Sequence, residues 1–171
     1  MHFEKLKQGQ ENLVKRWLQQ DYVAEYWFGE GLKNTLQSIE KFITSQELLY
    51  TLWLAYDEKT PFAFLMTSEV GSDDEPFSKF CGPSTKAITL DLLIGDRAYL
   101  GRGLAHVMIG QFLQQKFHDK TDVFIDPSIK NTRAIHVYEK AGFEKLEEFI
   151  PSWCPDPHIL MSLKMCGSDL R

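Results

Sequence analysis

Residues 98–112 read AYLGRGLAHVMIGQF. Two glycines bracket Arg102, and helical spacing follows, with Leu104, Met108 and Phe112 on one face and Val107 beside them. Glycine lets a backbone pass close to a ligand, and the first N–H groups of the helix behind it lack intrahelical partners. Those donors, with the positive end of the helix dipole, suit an anion such as a pyrophosphate. Two nucleotide-loop patterns fail on the letters. GxxxxGK[ST] occurs nowhere in the chain, and GxGxxG breaks at His106, where GRGLAH lacks its third glycine. What is left is GxGxA at a strand–loop–helix junction. Taken alone it is weak, and a plain helix start is the simpler account of it.

Upstream, KAITLDLLI (86–94) reads as a strand, and the Gly, Pro, Ser and Asp content of 71–85 reads as a loop. LLYTLWLAY, DEKTP and FAFLMTSEV read as strand, turn and strand over 48–70, and HFEKLK (2–7) as a first strand. Two helices precede the hairpin. One carries Leu13, Trp17 and Leu18 on a face, and the other is spaced through Leu32, Leu36, Ile39 and Ile43. Downstream, DVFID (122–126) is a short buried strand. Asn131 to Ala141 is a helix with Ala134, Val137, Tyr138 and Ala141 on one stripe, and Gly142 stands at its C-terminal glycine position. FEKLEEFI and HILMSLKM are two further strands. Antiparallel-looking strands followed by strand–helix–strand units predict an α/β (α+β) mixed sheet with helices packed on it.

With 171 residues, no repeats and no low-complexity linker, the chain is expected to form one domain over 1–171, burying about 70% of its unfolded surface. No apolar run approaches the roughly 20 residues that cross a bilayer, which predicts no membrane partner. MHFEKLKQGQ has no apolar signal region, so export is not expected. Cys81, Cys154 and Cys166 form no CxxC pair, which favours a reduced, cytoplasmic chain. A net charge of −5 argues against nucleic acid and is compatible with a cationic ligand. His2, His106, His118, His136 and His158 lack metal-ligand spacing and read as structural or exposed, so no metal is expected.

From Ile88 to Phe143 the chain resembles the GNAT superfamily of N-acetyltransferases. LGRGLA (100–105) is similar to their acetyl-CoA loop Q/R-x-x-G-x-G/A, with Gly103 and Ala105 fitting and Leu100 in place of the usual polar residue. DPSIKNTRAIHVYEKAGF (126–143) carries the N-x-R-A-I-x-x-Y-E-K-A-G-F string of the family's last helix and following strand. Within the superfamily the chain looks most like the aminoglycoside 6′-N-acetyltransferases, through RWL, YVAEYW (22–27), TLDLLI (89–94) and the DPS block. The LLIGD…AYLGRGL run looks equally like siderophore hydroxylysine N-acetyltransferases. The resemblance implies a GNAT fold, a mostly antiparallel sheet of about seven strands with helices on both faces. It implies acetyl-CoA as acyl donor and a small polycationic amine as acceptor, in a monomer or homodimer. A GNAT domain that binds acyl-CoA without catalysis is the remaining alternative.

The site follows residue by residue. Asp91 alternates with Leu90 and Leu92, so its carboxylate can face a cleft while they face the core, either to take a proton from the amine or to hold the ammonium. By resemblance, Leu92, Leu93 and Ile94 bind pantetheine and polarise the thioester through their backbone groups. The amides of Leu100, Gly101, Arg102, Gly103, Leu104, Ala105 and His106 cradle the pyrophosphate, with Arg102 adding charge. Tyr138, on the face shared with Ala134, resembles the family tyrosine that meets the CoA sulfur; a phenol can donate a proton to a thiolate. Asn131 caps its helix, contacts the pantetheine arm, or both. Between Arg16 and Lys33 there is no basic residue, and DYVAEYWFGEG sets Glu25 and Trp27 among further acids and aromatics, a mix that suits a polyamine. The plainer account of most of these residues is a helix–helix turn with aromatic core anchors. Asp126 matches an aspartate that contacts the aminoglycoside in the resembling enzymes, and is otherwise a turn residue before Pro127. The SDDE loop (72–75) forms an acidic rim or is simply solvated.

Overall fold

The computed structural model describes residues 1–165; Cys166 lies outside them. The aromatic-rich run of 48–70 folds as a hairpin, β2 (Thr51–Asp57) and β3 (Thr60–Glu69), around a turn at Glu58 and Lys59. Both strands are buried along nearly their whole length, which explains why their sequence is continuously apolar rather than alternating. β1 (His2–Lys5) edges β2, and β4 (Ala87–Ile94) pairs antiparallel with β3. β5 (Asp122–Ile125), β6 (Glu144–Phe149) and β7 (His158–Lys164) complete a seven-stranded sheet in the order β1-β2-β3-β4-β5-β7-β6. Only the β4–β5 pair is parallel.

Helices cover both faces, as the GNAT resemblance implies. α4 (Ala105–Lys116) and α5 (Thr132–Lys140) pack Met108, Phe112, Leu113 and Ile135 against one face. α1 (Glu11–Leu18), the short α2 (Asp21–Ala24) and α3 (Gly29–Ile43) cover the other with Val14, Trp17, Val23 and Ile39. The α3 stripe departs from the apolar spacing. Leu36 and Ile43 are 37% and 36% exposed, while Thr35 and Ser38 are buried beside Ile39. Their hydroxyls donate to the carbonyls of Gly31 and Asn34, and Thr35 also accepts from the Trp27 indole, so burying them leaves no polar atom unpaired. Asn131 caps α5 by accepting from the Ala134 amide, and the helix ends with Phe143 N–H donating to Tyr138 and Gly142 N–H to Glu139.

Two features of β4 shape the site. Its pairing with β5 stops early: Ala87, Ile88 and Thr89 meet Asp122, Val123 and Phe124, and from Leu90 onward β4 has no β5 partner. The sheet splits there. At the far end, Gly95 lies so close to the Trp17 ring that an added Cβ would sit 1.9 Å from it. Gly95→Ala therefore forces the indole out of its packing. The expected cost is about 2–3 kcal/mol, read as a fall of roughly 4–12 °C in melting temperature. An unchanged melting temperature would show that the helical layer slides freely on β4.

Candidate active site

The split opens a cleft of about 800 Å³ that reaches from the acidic loop at 74–75 and the α2–α3 corner, across β4, to the glycine turn and α5. This volume suits two small-molecule ligands meeting end to end. Almost every residue singled out from the sequence lines it: Glu25, Trp27, Asp91, Leu92, Leu93, Ile94, Leu100, Gly101, Gly103, Leu104, Ala105, His106, Asp126, Asn131, Ala134 and Tyr138. Arg102 does not. Its guanidinium lies over the ring of Tyr99, itself a lining residue, 4.8 Å from the centroid.

At the glycine turn, Gly101 and Gly103 take φ of 70° and 68°, and a Cβ at either would meet nothing within 4 Å. Open space over left-handed backbone at the mouth of α4 is the form an anion cradle takes, and it accommodates a pyrophosphate. Arg133, Lys140, His106 and His136 line this end of the cleft, and acidic residues line the other: Glu25, Asp74, Glu75, Asp91 and Asp126. The two ends therefore match an anionic donor and a cationic acceptor. Glu69 also reaches the wall, but its carboxylate is held by Lys120 at 2.6–2.7 Å.

Asp91 sits two residues past the last β4–β5 pair, and Asp126 directly follows β5. Both line the cleft, close enough for the charge of Asp126 to act on Asp91. Burial pushes the Asp91 carboxyl up to about 7, and the neighbouring Asp126 adds to the rise while His158 opposes it. Burial also raises Asp126, against the hydrogen bond and charge of His158. Tyr138, 7% exposed, is pushed well above the usual phenol range by burial and by the two carboxylates, so it keeps its proton. Odd residues of β4 turn their backbone groups to β3, as Gly95 N–H to Phe62 and Val70 N–H to Ala87 show, so Leu93 is taken up by Phe64. The Tyr22 hydroxyl engages the Ile94 carbonyl at 2.9 Å, and Leu92 and the Ile94 N–H are what β4 turns toward the split.

The α2–α3 corner divides between the two accounts given for it. Val23 and Trp27 anchor, Trp27 through its bond to Thr35, whereas Tyr26 and Phe28 are 39% and 43% exposed on the cleft rim. In the SDDE loop, Asp74 and Glu75 face the cleft. Among the wall residues that sequence reasoning missed, two face the aspartates. Tyr50 precedes β2 and is raised by burial and then by Asp91, Asp126 and Asp74. His158 is not an ordinary core or surface histidine, since it bonds Asp126 inside the cleft. No local signal marked either. Among the described residues no group of three His, Cys, Asp or Glu side chains is placed to hold a metal, and no helix is long and apolar enough to cross a membrane.

A mixed sheet that splits at β4–β5, with a glycine turn feeding a helix beside the split, is the architecture that the GNAT resemblance implies. The Acetyltransferase (GNAT) domain model matches residues 9–150, and the chain belongs to that family. It is 30% identical to aminoglycoside N(6′)-acetyltransferase type 1 of Klebsiella pneumoniae over 145 residues, 78% of this chain and 68% of that protein. A crystal structure of aminoglycoside N(6′)acetyltransferase from Legionella pneumophila superposes with a TM-score of 0.87 at 40% identity, covering 96% of this chain and 91% of that one. AAC(6′)-Ib in complex with ribostamycin and coenzyme A shares the fold, with a TM-score of 0.77 at 23% identity over 95% of this chain and 92% of that one. The protein is an acetyltransferase.

Proposed function

We propose that the chain transfers an acetyl group from acetyl-CoA to the 6′-amine of an aminoglycoside, by direct attack in a ternary complex. The observation that carries the acceptor side is the neighbouring buried pair Asp91 and Asp126 in a cleft that Glu25, Asp74 and Glu75 also line. The 40% identity to the Legionella pneumophila enzyme across nearly the whole of both chains supports the same acceptor.

Acetyl-CoA supplies the activated acetyl group. The turn from Gly101 to His106 binds its pyrophosphate through N–H groups, and Leu92 and the Ile94 N–H hold the pantetheine arm and polarise the carbonyl from the unpaired edge of β4. Asp126 docks the acceptor's ammonium. Asp91, whose carboxyl exchanges its proton near pH 7, takes a proton from that ammonium, directly or through a water. Tyr138 retains its phenolic proton and donates it to the departing thiolate. Glu25, Asp74 and Glu75 accept the acceptor's remaining amines at the rim.

Thiol release from acetyl-CoA, measured across a panel of amines, tests this. Kanamycin- and tobramycin-like compounds should release thiol well above background, and an aminoglycoside with a hydroxyl at 6′ should not. Turnover confined to a hydroxylated lysine would assign a siderophore precursor as acceptor instead. Failure of every amine to raise thiol release above background, alongside retained CoA binding, would assign a binding module.

A further inference from the structure

His158 lines the cleft and has no role in the chemistry above. It opens β7, is 7% exposed, and packs edge-on against Trp153 with ring centroids 4.9 Å apart. Its Nδ1 lies 2.5 Å from the main-chain oxygen of Asp126 and 3.3 Å from that residue's Oδ2. A carbonyl oxygen only accepts, so Nδ1 carries the hydrogen and shares it between two oxygens of the same residue. The backbone on either side is pinned as well. Ile159 N–H donates to Pro127 at 2.9 Å, and Ile129 N–H donates to Pro157 at 3.0 Å. Asp91 differs: no described residue donates a hydrogen bond to it, and it opens to the cleft.

Two neighbouring carboxylates in a buried cleft do not ionise independently, and the one with a fixed donor holds its charge more easily. We propose that His158 is a positioning residue for acetyl transfer: its Nδ1–H aims the Asp126 carboxylate into the cleft and keeps it the charged member of the pair, which leaves Asp91 to exchange the proton with the amine. This rests on the roles assigned to the two aspartates under the proposed function. The other ionisable groups around His158 and the pair are few. Asp156, in the connection before β7, is already paired with Lys130. Tyr50, ahead of β2, and Tyr138, on α5, face both carboxylates and are neutral.

Three substitutions separate this role from packing. His158→Asn sets an amide N–H near the place of Nδ1. His158→Gln fills the ring's space but carries its amide toward the Nε2 position, away from Asp126, and His158→Ala removes both. Carboxyl ¹³C NMR titration of the full chain, without acceptor, reads the pair directly. The Asp126 midpoint should rise by roughly one pH unit in the Gln and Ala variants and by clearly less in Asn, which restores the hydrogen bond but not the charge of the ring. With the acceptor identified by the amine panel, the acid limb of kcat/KM should move upward in the same two variants. KM for the amine should rise about tenfold at pH 7, with a smaller change in kcat. Asp126 midpoints that coincide in all four proteins, or Asn and Gln variants that behave alike, would overturn the proposal. If His158→Ala fails to fold, the Asn–Gln comparison decides alone. If no amine is acetylated by the wild-type protein, the acceptor assignment fails while the carboxyl titration still decides His158.

Discussion

Asp91→Asn should lower kcat/KM for the amine by at least about 100-fold and leave CoA affinity within about twofold, because the side chain lies on the acceptor side of the split and CoA is held by backbone. The same substitution should make the protein more stable at alkaline pH. The carboxyl is raised from 3.8 to about 7 by burial and then by Asp126. Between those values the folded chain holds a proton that the unfolded chain has released, so stability falls as pH rises through that window. Above about pH 7 the whole penalty is present, and an asparagine removes it. Urea melts should show Asp91→Asn more stable than wild type at pH 8, by on the order of 2–4 kcal/mol, and no gain at pH 4. A structural aspartate held by a cation would give the opposite sign. Loss of stability at pH 8, or turnover near wild type across the pH range, would remove Asp91 from the proton-transfer role. For the wild-type enzyme, the acid limb of kcat/KM should have an apparent midpoint near 7 that belongs to the aspartate pair rather than to one residue.

Gly103→Val is the second large effect, and it falls on the other substrate. At φ 68° a β-branched residue is strained by about 1–3 kcal/mol. Its side chain would meet no protein atom within 4 Å and would project over the amides that form the cradle. Calorimetry should show CoA affinity reduced at least about tenfold, on the scale of 1–3 kcal/mol. Gly110→Ala is the control. It lies within α4, an added Cβ there also meets nothing within 4 Å, and its φ is ordinary. That change should stabilise the helix by about 0.5–1 kcal/mol and leave CoA binding alone. Unchanged affinity in Gly103→Val would remove the turn from the cofactor site.

Much of the fold was legible because its determinants are local. The hairpin at 51–69, the cap at Asn131 with its glycine stop at 142, and the strand–glycine–helix run at 87–116 each depend on turn, cap or period signals within a few residues. Asp91 was singled out from strand alternation together with the family resemblance, and Tyr138 and Asp126 from the resemblance carried by the YEKAGF and DPS stretches, since the helix stripe alone reads Tyr138 as core. The α3 stripe was not legible, because hydroxyls that bond back along their own helix are buried as readily as leucine, and nothing in the spacing marks them. Arg102 was placed in the cradle by its neighbours' chemistry, yet a nearby tyrosine face took its guanidinium.

The sequence by itself determined the elements, the glycine turn and the two aspartates proposed to serve an amine. Only the tertiary structure decided that those aspartates neighbour each other in one cleft where the sheet splits, and that β7 enters between β5 and β6. That insertion carries His158 to Asp126 from 32 residues away. The physical reason is separation along the chain. Caps, turns and periodicity are settled among neighbours, whereas strand pairing is chosen by competition among long-range partners whose loop-closure cost changes slowly with length and so favours none of them in advance.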